Sequence, residues 1–298
     1  DTLPTIDVKA RMCVTSPPYY GLRNYGGEQD QIGQEDTPEQ FIENLVDVFR
    51  SVRDVLTDDG TLWVNIGDSY YNYRPGKGQA LVKQTLSKTE RDQPQTCARR
   101  GNKLEGLKEK DLIGIPWMLA FALRADGWYL RQDIIWHKPN PMPESVRDRC
   151  TKSHEYLFLL SKNRRYYYDN EAIKEPVKQD WGTRDRTGGK YHNPGTGLQP
   201  HSGLSKSYER KNKRDVWSIT NKPYKGAHFA VFPPELIEPC ILAGSQEGDI
   251  VLDPFMGSGT TGMVAKKHFR SFIGCELHED YASLQSDRID SIPPQLVL

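Results

Sequence analysis

A glycine-rich turn between a strand and a helix lies late in the sequence and constrains the fold more than any other feature. The buried-strand pattern 250–253 runs into Gly257, Gly259 and Gly262, which have the GxGxxG spacing. The acid Glu276 ends the next predicted strand, near the usual distance of about 20 residues. Such glycines let the backbone approach a ligand, the helix start attracts an anionic group, and the acid can bind ribose hydroxyls. The pattern predicts a site for a nucleotide-like cofactor.

The position of this turn indicates a permuted sheet. A NAD-binding domain begins with such a turn and needs about 100 further residues of alternating strands and helices. Here the sequence ends 39 residues after Gly259, so the remaining strands must come from upstream. Two cofactors stay open at this point: NAD, for which the permutation is uncommon, and S-adenosylmethionine, whose carboxylate would replace the pyrophosphate. A P-loop is excluded because no lysine follows the glycines.

Short β-rich runs alternate with helical patterns along the rest of the chain. The clearest helix, at 41–56, has its apolar residues on one face, and Thr37-Pro38 opens it while Asp59-Gly60 closes it. Because this alternation is typical of parallel βαβ units, we predict a parallel, doubly wound α/β sheet. Strands are predicted at 12–15, 61–66, 132–136, 155–160, 249–253 and 271–275, and further helices at 111–125, 234–243, 260–269 and 279–290.

Composition predicts a substantial core and many solvated loops. The 298 residues are 36% hydrophobic with a mean hydropathy of −0.71, which suits one large α/β domain with insertions or two small domains. No apolar run approaches the roughly 20 residues that span a membrane. The five cysteines form no CxxC pair, which argues against a zinc site or a disulfide framework and fits a reducing cytoplasm. The chain begins without a methionine, which leaves a preceding segment open.

Charge is distributed unevenly although the net charge is zero. Ten acids and two arginines lie in 24–60, whereas basic residues outnumber acids ten to four in 74–110 and ten to six in 171–215. Within the last of these, the loop-like stretch 176–214 interleaves basic residues with Tyr, Trp and His. Such a mixture suits a nucleic acid, with charge for phosphates and flat rings for bases. An ordinary solvated surface explains the charge alone equally well.

The tetrad Ser16-Pro17-Pro18-Tyr19 follows the first predicted strand. Two prolines fix φ and lack N–H donors, which leaves a stiff turn with carbonyl acceptors. A serine oxygen and the Pro17 carbonyl could accept both hydrogens of an exocyclic amine, and Tyr19 offers a face to a flipped base. Accepting these hydrogen bonds favours a tetrahedral nitrogen whose lone pair can attack a methyl sulfonium. Alone, Pro-Pro more simply ends a strand, but the accompanying glycine turn favours catalysis.

Together the two motifs resemble those of the beta class of amino-DNA methyltransferases, in which the catalytic motif precedes the recognition region and the cofactor motif follows. The similarity covers nearly the whole chain except 74–110 and 176–214. The further acidic cofactor motif of that class, usually just upstream of the catalytic strand, is not visible. The resemblance is carried by Thr15–Tyr19, Ile134–Asn140, His154–Phe158, His228–Leu236 and Leu252–Thr260.

The resemblance implies a circularly permuted, Rossmann-like α/β sheet of an S-adenosylmethionine-dependent methyltransferase with an inserted target recognition region. The catalytic half is expected at 1–170, including a mobile basic loop at 74–110, the recognition region at 171–215, and the cofactor-binding half at 216–298. The residues expected at the target base are Ser16, Pro17, Pro18 and Tyr19. Those expected to bind S-adenosylmethionine are Phe232, Asp253, Pro254, Phe255, Gly257, Ser258, Gly259, Thr260 and Glu276.

Double-stranded DNA is the partner that this resemblance implies, and neither a metal nor a membrane is expected. The oligomeric state, monomer or dimer, and a cognate restriction endonuclease stay open. The expected location is the cytoplasm of a bacterial or phage-like source, in association with the nucleoid. The residues expected to contact DNA are Lys138, Arg184, Arg186, Lys190, Lys211, Lys213 and Arg214.

A serine in the first place of the tetrad resembles the cytosine-N4 enzymes of this class, whereas Asp or Asn there is typical of the adenine-N6 enzymes. The expected activity is therefore site-specific methylation of cytosine N4 in duplex DNA by base flipping. Methylation of adenine N6 stays open, because a serine and a carboxylate can both accept from an amine. A catalytically silent DNA-binding module and a NAD-dependent oxidoreductase are the lesser alternatives.

Overall fold

The computed structural model describes residues 3–21, 31–71, 104–177, 209–221, 232–277 and 279–292. Within these ranges the chain forms a seven-stranded sheet and a separate two-stranded ribbon. The strands of the sheet are β1 (Ala10–Thr15), β2 (Leu56–Ile66), β3 (Tyr129–His137), β4 (His154–Ser161), β7 (Val216–Ser218), β8 (Ile250–Asp253) and β9 (Ser271–Gly274). The ribbon pairs β5 (Glu175–Pro176) with β6 (Arg210–Lys211). Most of the basic loop expected at 74–110 lies outside the described residues.

The strand order β7-β3-β4-β2-β1-β8-β9 places the late strand β8 beside the first strand β1. The two run parallel, with Met12 opposite Val251 and Cys13 opposite Leu252. The strands that carry the tetrad and the glycine turn are therefore neighbours in space although they lie far apart in the sequence. The permuted Rossmann-like sheet that the sequence predicts is confirmed.

One strand runs against the others and is an exception to the parallel βαβ units that the sequence predicts. Strand β4 is antiparallel to both of its neighbours, β2 and β3, whereas the other neighbouring pairs of the sheet are parallel. A parallel connection needs a crossover, usually a helix. Residues 138–153 between β3 and β4 contain no helix. The chain therefore returns directly to an antiparallel neighbour.

Helices cover both faces of the sheet. They are α1 (Pro38–Val55), α2 (Ile115–Ala125), α3 (Pro234–Gly244), α4 (Thr260–Lys267) and α5 (Glu279–Asp290), preceded by a 3-10 turn at Leu3–Thr5. Because side chains alternate along a strand, Cys13 of β1 packs in the cluster with α1 and α2, and Met12 and Val14 pack in the cluster with α3 and α4. The core thus lies on both sides of the sheet, and α5 packs outside α4.

Helix α1 begins and ends earlier than the apolar pattern alone predicts. Thr37 caps it, since the Thr37 side chain accepts a hydrogen bond from the Gln40 N–H at 3.2 Å, and Pro38 occupies the first turn. At the other end, β2 begins at Leu56, so Asp59 and Gly60 lie inside this strand and do not close the helix.

The start of helix α2 differs from the predicted one. Helix α2 begins at Ile115, after Gly114 in the left-handed region at φ 88°, four residues later than the prediction at 111.

Among the described helices, none has the length and apolarity that crossing a bilayer requires. The described residues also contain no group of three or more His, Cys, Asp or Glu side chains that could hold a metal ion.

Replacing Thr37 by Ala removes the side-chain acceptor at the start of α1. We expect the free energy of unfolding to fall by about 1 kcal/mol, because one N–H of the first turn loses its partner. Urea unfolding of the two proteins measures the difference. Thr37→Asn, which keeps an acceptor, should retain most of the stability, and an equal loss in both variants would contradict the capping role.

Candidate active site

The carboxyl ends of β1, β2 and β8 meet at one edge of the sheet because these strands are parallel. The tetrad Ser16–Tyr19 follows β1, Gly67 and Asp68 follow β2, and the glycine turn follows β8. In open α/β sheets this edge is where ligands bind. The structure therefore brings together the two motifs that the sequence analysis assigns to base and cofactor.

Tyr20, the residue that follows the tetrad, holds the tetrad in place. Tyr20 is 2% exposed, and its ring centroid lies 5.3 Å from that of Phe41 in α1. The Ser69 hydroxyl donates to the Tyr20 carbonyl at 3.2 Å, and the Gly21 N–H donates to the Gly33 carbonyl at 2.9 Å. Ser16 itself remains partly exposed. The turn is thus rigidly attached, while the serine at its start is accessible to a substrate.

Tyr19 is fixed at both its hydroxyl and its ring. The hydroxyl donates to Glu155 Oε2 at 2.7 Å and lies 3.4 Å from Asn65 Oδ1. The ring packs on the backbone of Gly67, where a Cβ atom would lie 2.7 Å from Tyr19 Cε2. Glu155 in turn forms an ion pair with Lys138.

The buried carboxylate of Asp253 joins the two motifs. It accepts hydrogen bonds from the Thr15 and Thr261 hydroxyls, both at 2.6 Å, and from the Phe255 N–H at 3.0 Å. Asp253 is 1% exposed. Burial raises its pKa to about 6, against the lowering effect of the hydrogen bonds from Thr15 and Thr261. Since Thr15 precedes Ser16 directly, this carboxylate sets the glycine turn relative to the tetrad.

The glycine turn has the backbone conformation for which glycine is needed. Gly257 and Gly259 have φ of 51° and 80°, in the left-handed region. The Gly257 N–H donates to Glu276 Oε2 at 2.8 Å, and Gln285 Nε2 donates to the Gly257 carbonyl at 2.8 Å. The turn and the acid Glu276, two residues after β9, are therefore already in contact.

The start of α4 fits a polar ligand. Gly259 is the N-cap and provides no side-chain hydrogen bond to the first turn. The adjacent Thr260 is 2% exposed, and its hydroxyl oxygen has no hydrogen-bond partner among the described residues. A buried hydroxyl without a partner is costly unless a ligand satisfies it. Together with the helix N-terminus, it suits the carboxylate end of an amino-acid-like cofactor.

The other residues assigned to the cofactor lie on or beside this turn. Pro254 and Phe255 follow β8 directly, and the Ser258 hydroxyl accepts a hydrogen bond from Arg288 at 2.8 Å. Phe232 is partly buried and packs against the core cluster that includes α3 and α4. The neighbouring His228 and Phe229, which carry part of the resemblance, lie outside the described residues.

Lys138 has a different environment from the one expected of a phosphate contact. Its side chain is 16% exposed, its ammonium pairs with Glu155, and Nζ lies 4.2 Å from the centroid of the Trp136 ring. A DNA phosphate would have to reach the ammonium beside this pair, at a side chain with little exposed surface. The phosphate role of Lys138 stays a prediction.

The basic residues of the recognition region are only partly described. Arg184, Arg186 and Lys190 lie outside the described residues. The described ones lie on or beside the β5–β6 ribbon, and Lys211 belongs to β6. Lys213 Nζ lies 3.6 Å from Glu175 Oε1, and Arg214 Nε lies 3.4 Å from Glu175 Oε2. Arg214 is 65% exposed, whereas Lys213 is 21% exposed and also lies over the Trp217 ring.

Glu155 and Asp68 are site residues whose contacts the sequence does not indicate. A parallel β4 would begin at the opposite edge of the sheet, but the antiparallel strand begins beside the tetrad and brings Glu155 there. Asp68 Oδ1 accepts from the Gly114 and Ile115 N–H groups, at 3.0 and 3.1 Å, and so supports the start of α2. The antiparallel return could have been inferred from the absence of a helical pattern between β3 and β4.

Two further titratable groups lie near Glu155. Burial lowers the pKa of Lys152, whose ammonium donates to the Asp68 carbonyl at 3.4 Å, while the charges of Asp68 and Glu155 oppose this shift. Burial and the Lys152 charge also lower the pKa of His154. This edge of the sheet therefore carries several partly desolvated titratable groups near Tyr19 and Glu155.

The chain matches the family model N6_N4_Mtase, described as DNA methylase, over residues 10–287. It belongs to this DNA methylase family. The predicted similarity to the amino-DNA methyltransferases is thereby confirmed. The family covers both N6 and N4 enzymes, so membership alone does not choose the base.

Curated relatives are similar over most of their length. The Type II methyltransferase M.SmaI of Serratia marcescens is 50% identical over 276 residues, which cover 93% of this chain and 82% of the relative. The Type II methyltransferase M.Cfr9I of Citrobacter freundii is 48% identical over 279 residues, which cover 94% of this chain and 81% of the relative.

Solved structures share the fold at low sequence identity. PvuII DNA methyltransferase (cytosine-N4-specific) matches with a TM-score of 0.62 and 17% identity, over 99% of this chain and 86% of that one. The Thermus thermophilus protein TTHA0409, complexed with S-adenosyl-L-methionine, matches with a TM-score of 0.57 and 23% identity, over 97% of this chain and 89% of that one. This methylase therefore shares its fold with PvuII DNA methyltransferase and with TTHA0409.

The raised pKa of Asp253 predicts a pH-dependent contribution to stability. Its folded pKa of about 6 lies above the unfolded value of about 3.9, so the protonated form favours folding. This contribution is complete below about pH 4 and is lost as the pH rises through about 6. We expect the unfolding free energy of the wild type, minus that of Asp253→Asn, to fall by about 2 kcal/mol from pH 4 to pH 7.

Urea unfolding of both proteins across this pH range measures the difference, because groups common to both cancel. A difference that stays constant with pH would contradict the raised pKa. A difference that grows with pH would show that the ionised carboxylate is the favoured form in the folded protein.

Proposed function

We propose that this DNA methylase transfers a methyl group from S-adenosylmethionine to the exocyclic N4 amine of cytosine in duplex DNA. The observation that carries the proposal is the hydrogen bond from Thr15 to Asp253, which sets the Ser16–Tyr19 tetrad beside the glycine turn. A target amine at the tetrad and a methyl donor at the turn would then share one edge of the sheet.

S-adenosylmethionine supplies an electrophilic methyl group on a positively charged sulfur. The residues that would hold it are the turn Gly257–Thr260 and the acid Glu276, and the Thr260 hydroxyl at the helix start has no partner within the described ranges. Glu276 bonds the Gly257 N–H in this structure, so a ribose contact would use its other oxygen or exchange this bond. These hydroxyl, amide and carboxylate groups suit the amino-acid and ribose parts of such a cofactor.

The proposed role of the tetrad is to orient the target base and to accept hydrogen bonds from its amine. The Ser16 oxygen and the Pro17 carbonyl accept the two amine hydrogens, which favours a tetrahedral nitrogen with its lone pair directed at the methyl carbon. A nitrogen–carbon bond would form as the carbon–sulfur bond breaks, with the electron pair of that bond left on the now neutral sulfur. The methylated amine would then release one proton to water. Tyr19 stacks on the flipped base so that it stays in place during transfer.

Cytosine is proposed as the base because serine occupies the first place of the tetrad. A neutral hydroxyl and a carboxylate can both accept from an amine, so the choice rests on the likeness to N4 enzymes. PvuII DNA methyltransferase, whose fold this chain shares, is described as cytosine-N4-specific. No described contact favours adenine over cytosine, and methylation of adenine N6 is therefore treated as an outcome of the test.

Residues 171–215 are proposed to form the target recognition region between a catalytic half at 1–170 and a cofactor-binding half at 216–298. Its described ends, 171–177 and 209–215, meet in the β5–β6 ribbon. This ribbon joins the two ends of the proposed region. The segment can therefore carry DNA contacts while its ends stay attached to one another.

The test is incubation with labelled S-adenosylmethionine and duplex DNA of mixed sequence, followed by digestion and identification of the nucleoside. We expect N4-methyldeoxycytidine. N6-methyldeoxyadenosine would overturn the base assignment and keep the reaction type, and the absence of label in DNA would overturn the proposal.

Ser16→Ala tests the role of the tetrad. We expect the turnover number to fall about 100-fold, because one acceptor of the reacting amine is lost in the transition state. The dissociation constant for S-adenosylmethionine should not change. Ser51→Ala, on α1 away from this edge, is the matched control, and an equal effect of both substitutions would contradict the assignment.

A further inference from the structure

A chain of polar contacts runs from the tetrad to the loop after β3. The Tyr19 hydroxyl donates to Glu155 Oε2 at 2.7 Å, and the other carboxylate oxygen of Glu155 pairs with Lys138. The Glu155 and Lys138 side chains are 15% and 16% exposed. Hydrogen bonds to a charged acceptor are stronger than neutral ones, and a desolvated pair holds its geometry better than a surface pair. The far end of the Tyr19 ring is therefore attached to a fixed point.

Glu155 is held by its neighbours as well as by Lys138. Asn65 Nδ2 lies 3.4 Å from Glu155 Oε2 and donates to the Tyr156 carbonyl at 3.0 Å. Asn65 is 2% exposed and belongs to β2, next to β4. Glu155 Oε2 thus has a partner in β2, Asn65, and Glu155 Oε1 has a partner directly after β3, Lys138.

Gly67 packs against one face of the Tyr19 ring. A Cβ atom at position 67 would lie 2.7 Å from Cε2, 3.2 Å from Cδ2 and 3.3 Å from Cζ of Tyr19. Only a glycine lets the ring lie this close to the backbone. A base that stacks on Tyr19 must therefore approach from the ring face opposite Gly67.

We propose that Glu155, supported by Lys138, is a positioning residue that sets the Tyr19 ring in its base-stacking orientation before the target base arrives. This inference rests on the proposed function, because it assumes that Tyr19 stacks on a flipped base. Fixing the ring in advance reduces the entropy lost when the base binds and keeps the amine aligned with the methyl donor. Glu155 acts through Tyr19 and takes no part in the transfer itself.

A double-mutant cycle on Tyr19→Phe and Glu155→Ala separates this role from general stabilisation. The readout is the single-turnover rate of methyl transfer to duplex DNA at saturating S-adenosylmethionine. We expect each single variant to lose about 10-fold, because a displaced ring misaligns the reacting atoms. The double variant should be no slower than the slower single variant, since both substitutions break the same hydrogen bond.

Further measurements identify a merely structural effect. The dissociation constant of Tyr19→Phe for S-adenosylmethionine should match that of the wild type, and its urea unfolding curve should show that the variant is fully folded under the assay conditions. Glu155→Gln keeps an oxygen that can accept from the Tyr19 hydroxyl, so it should retain more of the rate than Glu155→Ala and serves where the latter does not fold. Glu238→Ala, which removes a carboxylate paired with Lys267 and His268 between α3 and α4, is the matched control and should leave the rate unchanged.

Losses that multiply in the double variant would overturn the proposal, as would an unchanged rate in Tyr19→Phe or a Glu155→Gln rate no higher than that of Glu155→Ala. These outcomes leave the proposed function intact, because they are judged against an active wild type. The absence of methyl transfer to DNA by the wild type would overturn both. Transfer to adenine would overturn only the choice of base, and the cycle would then be measured on adenine.

Discussion

The hydrogen bond between the Thr15 hydroxyl and the Asp253 carboxylate joins residues that are 238 positions apart. Burying a carboxylate is costly, and three donors, from Thr15, Thr261 and Phe255, offset part of that cost here. The parallel pairing of β1 with β8 brings these groups into range. The site depends on this arrangement, since the tetrad and the glycine turn would otherwise have no fixed distance between them.

Local patterns predicted those parts of the site whose structure is determined locally. The tetrad is stiff because of its own prolines, and the glycine turn needs positive φ at Gly257 and Gly259, so both are visible in the sequence. The direction of β4 is set by how the chain returns across the sheet, and the alternation of strands and helices did not reveal it. The sequence does not indicate Glu155 for the same reason, because its place at the edge of the candidate site follows from that direction.

Charge along the sequence was a weaker guide than motif spacing. Lys138 reads as a phosphate ligand when only its neighbours in the chain are considered, yet its ammonium pairs with Glu155, 17 positions away. The basic residues Lys213 and Arg214 likewise lie near Glu175, on the opposite strand of the ribbon. A basic residue contributes to a DNA-binding field only after its acidic neighbours in space are counted, and those depend on the fold.

The pairing of β1 with β8 also has a consequence for how such enzymes can diverge. The tetrad after β1 and the glycine turn after β8 are aligned across the sheet by hydrogen bonds, and not along the chain by a linker. Lengthening a segment between them costs little, about 0.6 kcal/mol for each doubling of a flexible loop. The proposed recognition region can therefore be replaced or resized while the relative position of the tetrad and the glycine turn is inherited unchanged.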